Sequence, residues 1–450
     1  MSALARPGQL RLAGQVLRGS GVAGATTRTA GCNVASAAAA ALGGILMARA
    51  VGPVVRGEYA AVIAWFGMLL LAGEAGQTAA VCFYVARDPR RARGYVASAR
   101  GMMLVTGVIA LTVGYIAAPA LAHGAPGLTG VYRLAFGGSV IAFTGASYTF
   151  ALQARSIGRW NLVRFSQPAL GLAGLIFLWH LRMLSLQTAI GALIASMTIQ
   201  LCLAYYWCRR CDLAPGCAQA KFAWPLLKYG LSQLAAITPA SVNAYLDQLL
   251  LSQVARPASL GCYAIAVSVA GIPVPLVSAI GSVAFPRLAA QRGAAAQAGR
   301  FPRIALLTSA GTACAVLLPV AASAHWLIPL AFGAAYRSAV PLVWILAPGG
   351  VFLASGQVAG DLLRGLGRPG LVAAAQGLAA VFTVVLLFAL LPSVGVAAAA
   401  IASTVAYGVA LAVMIRCLWR LAPAGKTATR TGGGRHRQRA AAVDLARDLP

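Results

Sequence analysis

Long apolar segments alternate with short polar breaks along almost the whole chain. There are twelve such segments, most of about 20 residues or more, which is enough for a helix to cross roughly 30 Å of hydrocarbon. The pattern predicts a transmembrane helix in each, and Gly73 and Gly76 are expected to bend the second. The predicted bounds are 30–50, 58–86, 101–122, 131–154, 165–181, 187–208, 228–253, 259–285, 304–326, 340–362, 371–391 and 395–415.

Composition supports this pattern. Of the 450 residues 60% are hydrophobic and only 10% are charged, and the mean hydropathy is +0.79. Soluble proteins usually carry about 25% charged residues, so an ordinary soluble enzyme is excluded. Backbone groups in lipid must be satisfied within helices or closed barrels, and these segments have the length of helices. The predicted fold class is therefore an all-α polytopic membrane protein.

The distribution of basic residues predicts the orientation in the membrane. The net charge is +28, and thirty of the 36 basic residues fall in breaks on one side of the predicted topology. Cytoplasmic loops carry such an excess, which places both termini in the cytoplasm. Because the charges sit between apolar segments, the expected partners are anionic lipid headgroups rather than nucleic acid. We predict a monomer in a bacterial cytoplasmic membrane.

An internal repeat predicts two lobes of six helices each. Gly57-Glu58-Tyr59-Ala60 recurs as Gly261-Cys262-Tyr263-Ala264, 204 residues later, and Gly158-Arg159 with Gln167 recurs as Gly367-Arg368 with Gln376. Six helices return the chain to its starting side, so the halves are parallel repeats about an axis along the membrane normal. The predicted division is a cytoplasmic segment 1–29, an N-lobe 30–208, a linker 209–227, a C-lobe 228–415 and a disordered basic tail 416–450.

Three stretches carry a resemblance to a known family. "ARAVGPVVRGEYA" (Ala48–Ala60) resembles the first periplasmic turn of polysaccharide flippases, "YLDQLLLSQVARPASLGCYAIAVSVAG" (Tyr245–Gly271) resembles the start of their second half, and "LRGLGRP" (Leu363–Pro369) resembles their loop after the tenth helix. The family is the oligosaccharide flippase branch of the multidrug/oligosaccharidyl-lipid/polysaccharide exporter superfamily. The resemblance covers about residues 28–416.

The resemblance implies a flippase that moves undecaprenyl-pyrophosphate-linked oligosaccharide from the inner to the outer leaflet as its lobes alternate between inward-open and outward-open states. The lipid-II branch carries intramembrane arginines on its first helix. Here no basic residue lies between Arg28 and Arg49, which disfavours a peptidoglycan precursor as the substrate.

A pyrophosphate headgroup needs cationic or N–H partners, which makes six residues candidates for substrate binding. Arg28 and Asn33 enter the first helix from the cytoplasm, Arg49 and Arg133 mark the outer mouth, and Arg155 and Arg159 lie beneath the fourth helix. Four of the six have an alternative explanation. Arg28 can extend to lipid headgroups, Arg49 can serve only its turn, and positive charge on the inner side already explains Arg155 and Arg159.

A coupled transporter also needs a titratable group inside the membrane, and two carboxylates are candidates for ion coupling, with a proton or Na⁺ as the ion. Glu74 lies deep in the second segment, where an unpartnered carboxyl would favour its neutral form. Asp247 lies in the seventh segment, one turn from Asn243. The alternatives are a structural hydrogen bond for Glu74, and an ion pair with Arg256 or Arg49 for Asp247. Asp361 and Arg364 are expected to pair.

Other functions remain open from the sequence, including a non-transporting scaffold or a membrane-protein assembly factor. A cation-coupled multidrug exporter of the same superfamily is the nearer alternative, although the few intramembrane acids favour the flippase. A membrane-embedded polymerase would need a large outer loop with polar catalytic residues, and the longest outer loop has about a dozen residues. The chain has no Gly-rich phosphate loop with its Lys, so we expect no ATP hydrolysis. As a transporter it is expected to have no enzymatic activity, no cofactor and no metal.

Overall fold

The computed structural model describes residues 22–213, 216–278, 280–281 and 301–421, and within these ranges the chain forms helices and no strand. Twelve long or medium α-helices account for most of it. They are α1 (Val22–Glu74), α2 (Gln77–Arg87), α3 (Ala92–Leu121), α4 (Pro126–Arg155), α5 (Ile157–His180), α6 (Leu186–Arg210), α7 (Ala220–Val254), α8 (Pro257–Ala270), α9 (Phe301–Phe332), α10 (Ala339–Gly365), α11 (Pro369–Val394) and α12 (Ala397–Leu421). A 3-10 turn, Ala334–Tyr336, precedes α10.

These helices confirm the polytopic all-α fold. By length and composition, ten helices of the described part could cross a membrane. One of them, α1, is long enough to cover the first predicted span and most of the second. Helix α7 is not among the ten, and its second half carries the polar residues Asn243 and Asp247. With α1 divided and α7 added, each of the twelve predicted spans corresponds to a helix.

Two breaks give the first two spans their shape. Gly52 has φ +74°, a left-handed conformation that glycine adopts without steric cost, and Pro53 follows it at the start of the next helical turn. The first and second spans therefore meet at this kink. The second span is interrupted again at Ala75 (φ +47°) and Gly76 (φ +67°), which separates α1 from α2. This confirms the predicted bend beside Gly73 and Gly76.

The helices pack as two lobes joined by α7. In the N-lobe, α4 packs against α3 and α6, and the first part of α1 packs against α5. In the C-lobe, α12 packs against α10 and α11, and α9 packs against α10. The first residues of α7 lie on the N-lobe, where the ring of Tyr229 stacks on Phe83. Its second half packs against α11, so α7 connects the two lobes.

On the predicted outer side, several contacts hold the lobes together. Arg49 donates from Nη2 to the carbonyl oxygen of Leu330 at 2.6 Å, and the Tyr336 hydroxyl donates to the carbonyl oxygen of Ala48 at 3.1 Å. Further along, Trp65 donates from Nε1 to the Ser252 hydroxyl at 2.9 Å. These hydrogen bonds join the two lobes on the predicted outer side.

Parts of the predicted division lie outside the described residues, namely most of the segment before residue 29 and the tail after Leu421. Helix α12 extends to Leu421 and α1 begins at Val22, so both helices continue past the predicted ends of their apolar spans. The lobe boundaries at 208 and 228, the orientation and the monomeric state stay predictions.

Candidate functional site

The N-lobe contains a cavity of about 460 Å³ between the two parts of α1, helix α5 and helix α6. Apolar side chains and glycines make up much of its wall. The polar side chains in its wall are Ser36, Arg56, Tyr59, Arg164, Gln167, Ser196 and Gln200. No carboxylate belongs to the described lining, so the cavity is cationic.

Arg56 supplies positive charge at the predicted outer end of this cavity. It lies one turn after Pro53, and its guanidinium carbon is 5.6 Å from the centre of the Tyr59 ring. The Nε atom of Arg56 is buried and has no hydrogen-bond partner in the described structure. A buried donor without a partner costs free energy, so this guanidinium is available to an acceptor that enters the cavity.

Arg164 supplies the second positive charge, two turns after the start of α5. Its Nη2 donates to the Asn33 amide oxygen at 3.2 Å, and its guanidinium lies 4.4 Å from the Trp160 ring centre. Gln167 follows three residues later on the same helix and faces the same cavity. Guanidinium groups bind phosphate oxygens well, while amides and hydroxyls can bind sugar hydroxyls.

The C-lobe contains a second cavity, of about 290 Å³, between α7, α10, α11 and α12. Its polar lining differs from that of the N-lobe because it includes an acid. The polar residues are Asn243, Gln357, Asp361, Arg364, Gln376 and Tyr407. Asp361 accepts from Arg364 Nη1 at 2.9 Å, which confirms the ion pair predicted from their spacing.

Asp247 lies one turn beyond this cavity and is only 2% exposed. Its carboxylate accepts hydrogen bonds from the Tyr263 hydroxyl, from the Ser403 hydroxyl at 3.0 Å and from the backbone N–H of Gln248 at 2.7 Å. Within the described ranges no basic side chain forms an ion pair with it. A buried carboxylate without a countercharge is costly, and these three hydrogen bonds offset part of that cost.

The ion-pair alternative for Asp247 is therefore not what the structure shows. Arg49 donates to the Leu330 carbonyl instead, and Arg256 is exposed before the start of α8. Glu74, the other predicted coupling residue, lies at the end of α1 and accepts a hydrogen bond from the Thr78 hydroxyl across the helix break. It is half-buried and belongs to neither cavity lining.

The six predicted substrate-binding residues do not form one site. Arg28 bonds the Gly24 carbonyl from Nε at 3.3 Å within its own helix, and Asn33 holds Arg164. Arg133 places its guanidinium 4.1 Å from the Tyr115 ring centre on the neighbouring helix.

The remaining members of that set also lie apart from the N-lobe cavity. Arg159 donates to the Cys211 sulfur at 2.7 Å and lies 4.8 Å from the Trp207 ring centre, which fixes α5 to the end of α6. Arg155 is exposed at the end of α4. Arg49 bonds the Leu330 carbonyl and so contributes one of the contacts between the lobes. Of these six residues only Asn33 reaches the cavity, through Arg164.

Comparison with known proteins bears on what these cavities do. The polysaccharide biosynthesis protein family matches residues 25–291, which include all of the N-lobe and the start of the C-lobe. The chain belongs to this family. This match confirms, at the level of the family, the resemblance that the three sequence stretches carry. No curated protein matches the chain.

Several solved structures share the fold of this chain. The lipid II flippase MurJ in an inward closed conformation has a TM-score of 0.69 at 11% identity, over 87% of this chain and 89% of that chain. The eukaryotic MATE transporter AtDTX14 has a TM-score of 0.67 at 13% identity, over 90% of this chain and 98% of that chain. A MOP superfamily transporter from Pyrococcus furiosus, described by the reverse polarity of its binding pocket, has a TM-score of 0.62 at 16% identity, over 88% of this chain and 96% of that chain. The chain therefore has the fold of these transporters and of this flippase.

Proposed function

We propose that this protein flips an undecaprenyl-pyrophosphate-linked oligosaccharide from the inner to the outer leaflet of a bacterial cytoplasmic membrane by alternating access. The cationic N-lobe cavity carries the proposal. Arg56 and Arg164 are the groups that would bind the pyrophosphate, and Gln167 and Gln200 are polar groups that would bind sugar hydroxyls. Membership of a polysaccharide biosynthesis family supports a glycan as the cargo.

The same observation weighs against a multidrug exporter for cationic compounds. A cationic drug would need a carboxylate or an open aromatic face in the cavity, and the described lining of the N-lobe cavity offers two guanidinium groups instead. The fold alone does not separate the two functions, because its solved relatives include both multidrug transporters and a lipid II flippase.

Ion coupling forms the second part of the proposal. Asp247 lacks a countercharge in the described structure, and in the proposed cycle a proton or Na⁺ supplies it. Binding and release of that cation would bias the equilibrium between the two orientations of the lobes, provided the cation has different affinities for them. The protein in this proposal acts as a carrier rather than as an enzyme, with both termini in the cytoplasm.

Reconstitution into liposomes tests the substrate. A fluorescent undecaprenyl-pyrophosphate oligosaccharide is added, and its appearance in the opposite leaflet is followed for the wild type, Arg56→Gln and Arg164→Gln. Loss of one charge-assisted hydrogen bond of about 1.5–3 kcal/mol predicts a fall of about 10- to 100-fold in apparent affinity. Arg182→Gln, an exposed arginine between α5 and α6, is the matched control.

Two outcomes would contradict the proposal. Flipping by the wild type no faster than in empty liposomes, together with transport of a cationic dye, would favour the multidrug exporter. Flipping that both cavity variants leave at the level of Arg182→Gln would show that the headgroup does not use the N-lobe cavity.

A further inference from the structure

We infer that the C-lobe cavity is the route by which a proton or Na⁺ reaches Asp247 from the predicted cytoplasmic end of the lobe, with the Asp361–Arg364 pair at its entrance. The inference rests on the proposed ion coupling at Asp247 and adds its access path and the side from which the cation enters. Four helices supply the wall, and each contributes at least one polar side chain.

The entrance lies near the end of α10. The side chains of Asp361 and Arg364 are 29% and 40% exposed, so neither group of the pair is fully buried. Together they carry no net charge. A cation can therefore pass them without meeting an unpaired guanidinium, whereas a positive charge alone at this point would repel it.

Polar side chains continue inward from this entrance. Gln357 lies one turn from Asp361 on α10, and Gln376 faces the same cavity from α11. The Asn243 Nδ2 atom donates to the Gln376 Oε1 atom at 3.4 Å, and the Thr383 hydroxyl donates to the Asn243 Oδ1 atom at 3.1 Å. These groups offer oxygen atoms to water, to a hydrated proton or to Na⁺.

The cavity ends one helical turn short of Asp247. Asn243 and Tyr407 belong to its wall, and four residues away on the same two helices lie Asp247 and Ser403. One turn corresponds to about 6 Å along a helix. Ser403 donates to Asp247 at 3.0 Å, so the residues one turn beyond the cavity on these two helices are hydrogen-bonded to each other.

Access from the opposite direction is closed in this conformation. Leu251, one turn beyond Asp247 on α7, is fully buried, and so is Leu260 on α8. Both belong to an apolar cluster that also holds Tyr263, Leu346 and residues of the first two spans. Toward the outer side, the positions next to Asp247 on these two helices are therefore filled by packed apolar side chains.

A cysteine placed in the cavity tests the route without requiring any transport. A Cβ atom at Gly356 would lie 3.7 Å from Met414 Cε, an ordinary contact, so Gly356→Cys fits the wall. Membrane-impermeant methanethiosulfonates are applied to inside-out vesicles and to spheroplasts, and modification is measured peptide by peptide with mass spectrometry. Native Cys417, near the predicted inner end of α12, reports which face the reagent reached.

A plug and its matched control make the test specific. Gly360 lies one turn nearer the entrance, and a Cβ there has 3.5 Å to its nearest neighbour, so Gly360→Leu fills the passage. Gly377→Leu places the same side chain in open space on α11. We expect labelling of Gly356→Cys from the inner face, slowed at least 10-fold by Gly360→Leu and unchanged by Gly377→Leu. Labelling from the outer face only, or labelling that ignores the plug, would overturn the route.

Reagent charge tests the entrance. With Asp361→Asn, Arg364 is left unpaired, and the rate ratio of a cationic to an anionic methanethiosulfonate should fall several-fold. With Arg364→Gln the ratio should rise. A ratio that neither substitution changes would remove the pair from the route.

Replacing Na⁺ by choline at constant pH identifies the cation that uses the route. Slower labelling of Gly356→Cys that requires Na⁺ indicates Na⁺, and slower labelling that follows pH alone indicates the proton. Both results support the route.

These readouts separate the route from the proposed function. A labelled, plug-sensitive cavity in a protein that flips no lipid would leave the route standing and reject the flippase. Flipping that depends on Asp247 in a protein whose cavity stays unlabelled would support the flippase and reject the route.

Discussion

Gly57 and Gly261, which the repeat relates by 204 residues, meet face to face where the two lobes cross. A Cβ atom on Gly57 would lie 2.9 Å from the Gly261 nitrogen, and one on Gly261 would lie 3.1 Å from the Gly57 nitrogen. Each would also collide with the carbonyl oxygen of Pro257 or Pro53, which are repeat partners themselves. The pseudo-twofold axis thus passes between two glycines, and neither position has room for a side chain.

This crossing makes Gly57→Ala a sharp test of lobe closure. The added methyl group meets backbone atoms, which cannot rotate away, so the lobes cannot close fully on the outer side. We expect the rate of lipid flipping to fall at least 10-fold while the purified protein remains folded. Gly127→Ala, in open space at the start of α4, should leave the rate unchanged. Equal rates for Gly57→Ala and the wild type would mean that this crossing does not move during transport.

Arg49 offers a second test of the outer contacts, through Cys262. Removing its bond to the Leu330 carbonyl by Arg49→Ala loses a charge-assisted interaction of about 1.5 kcal/mol, which predicts roughly a 10-fold rise in the population with an open outer side. Cys262 is buried beside Ser338 beneath these contacts. Its alkylation from outside should accelerate accordingly. Arg337→Ala, exposed at the same end, is the control, and equal rates for both would assign Arg49 another role.

The repeat indicates how the two lobes have diverged. Gln167 and Gln376 occupy corresponding places in the two cavities, and Tyr59 and Tyr263 correspond as well. Yet Tyr59 lies beneath the guanidinium of Arg56, whereas Tyr263 donates to Asp247. One framework therefore holds a cationic site in the first lobe and an acidic one in the second.

Much of the fold could be predicted from the sequence because membrane spans leave a local signal. Twenty apolar residues in succession, the Gly52–Pro53 kink and the glycines near Glu74 are all visible without tertiary contacts. The candidate site could not be predicted in the same way. Whether Arg164 or Arg159 faces a cavity depends on which side of α5 packs on α6, and nothing in the local sequence distinguishes them.

The hydrogen-bond network of Asp247 shows the same limit. Its partners come from α8 and α12, 16 and 156 residues away, so no spacing rule leads to them. One signal was available, namely that Tyr263 belongs to the repeated motif. A repeat that preserves a tyrosine in both halves indicates a shared structural position, but not that one copy bonds an acid.

Asp247→Asn and Glu74→Gln should differ in their effects. Asparagine removes the charge that requires a cation, so the response of flipping to a pH or Na⁺ gradient should disappear. Glu74 lies at a helix break beside Thr78, outside both cavities, and its replacement tests whether a second coupling group exists. The measurement is the ratio of flipping rates with and without each gradient. A gradient response that survives in Asp247→Asn and vanishes in Glu74→Gln would move the coupling site to the break.

The hydroxyls of Tyr263 and Ser403, which donate to Asp247, should position its carboxylate rather than balance the charge of the cation. Tyr263→Phe and Ser403→Ala each remove one hydrogen bond, worth about 1.5–3 kcal/mol when its acceptor is ionised, and leave the carboxylate in place. We therefore expect the cation concentration for half-maximal flipping to shift by about 10-fold or more, with the maximal rate largely retained. Ser309→Ala, a buried serine whose hydroxyl bonds only its own helix, controls for the loss of a hydroxyl. A lower maximal rate with an unchanged midpoint would instead indicate that these hydroxyls act in the movement of the lobes.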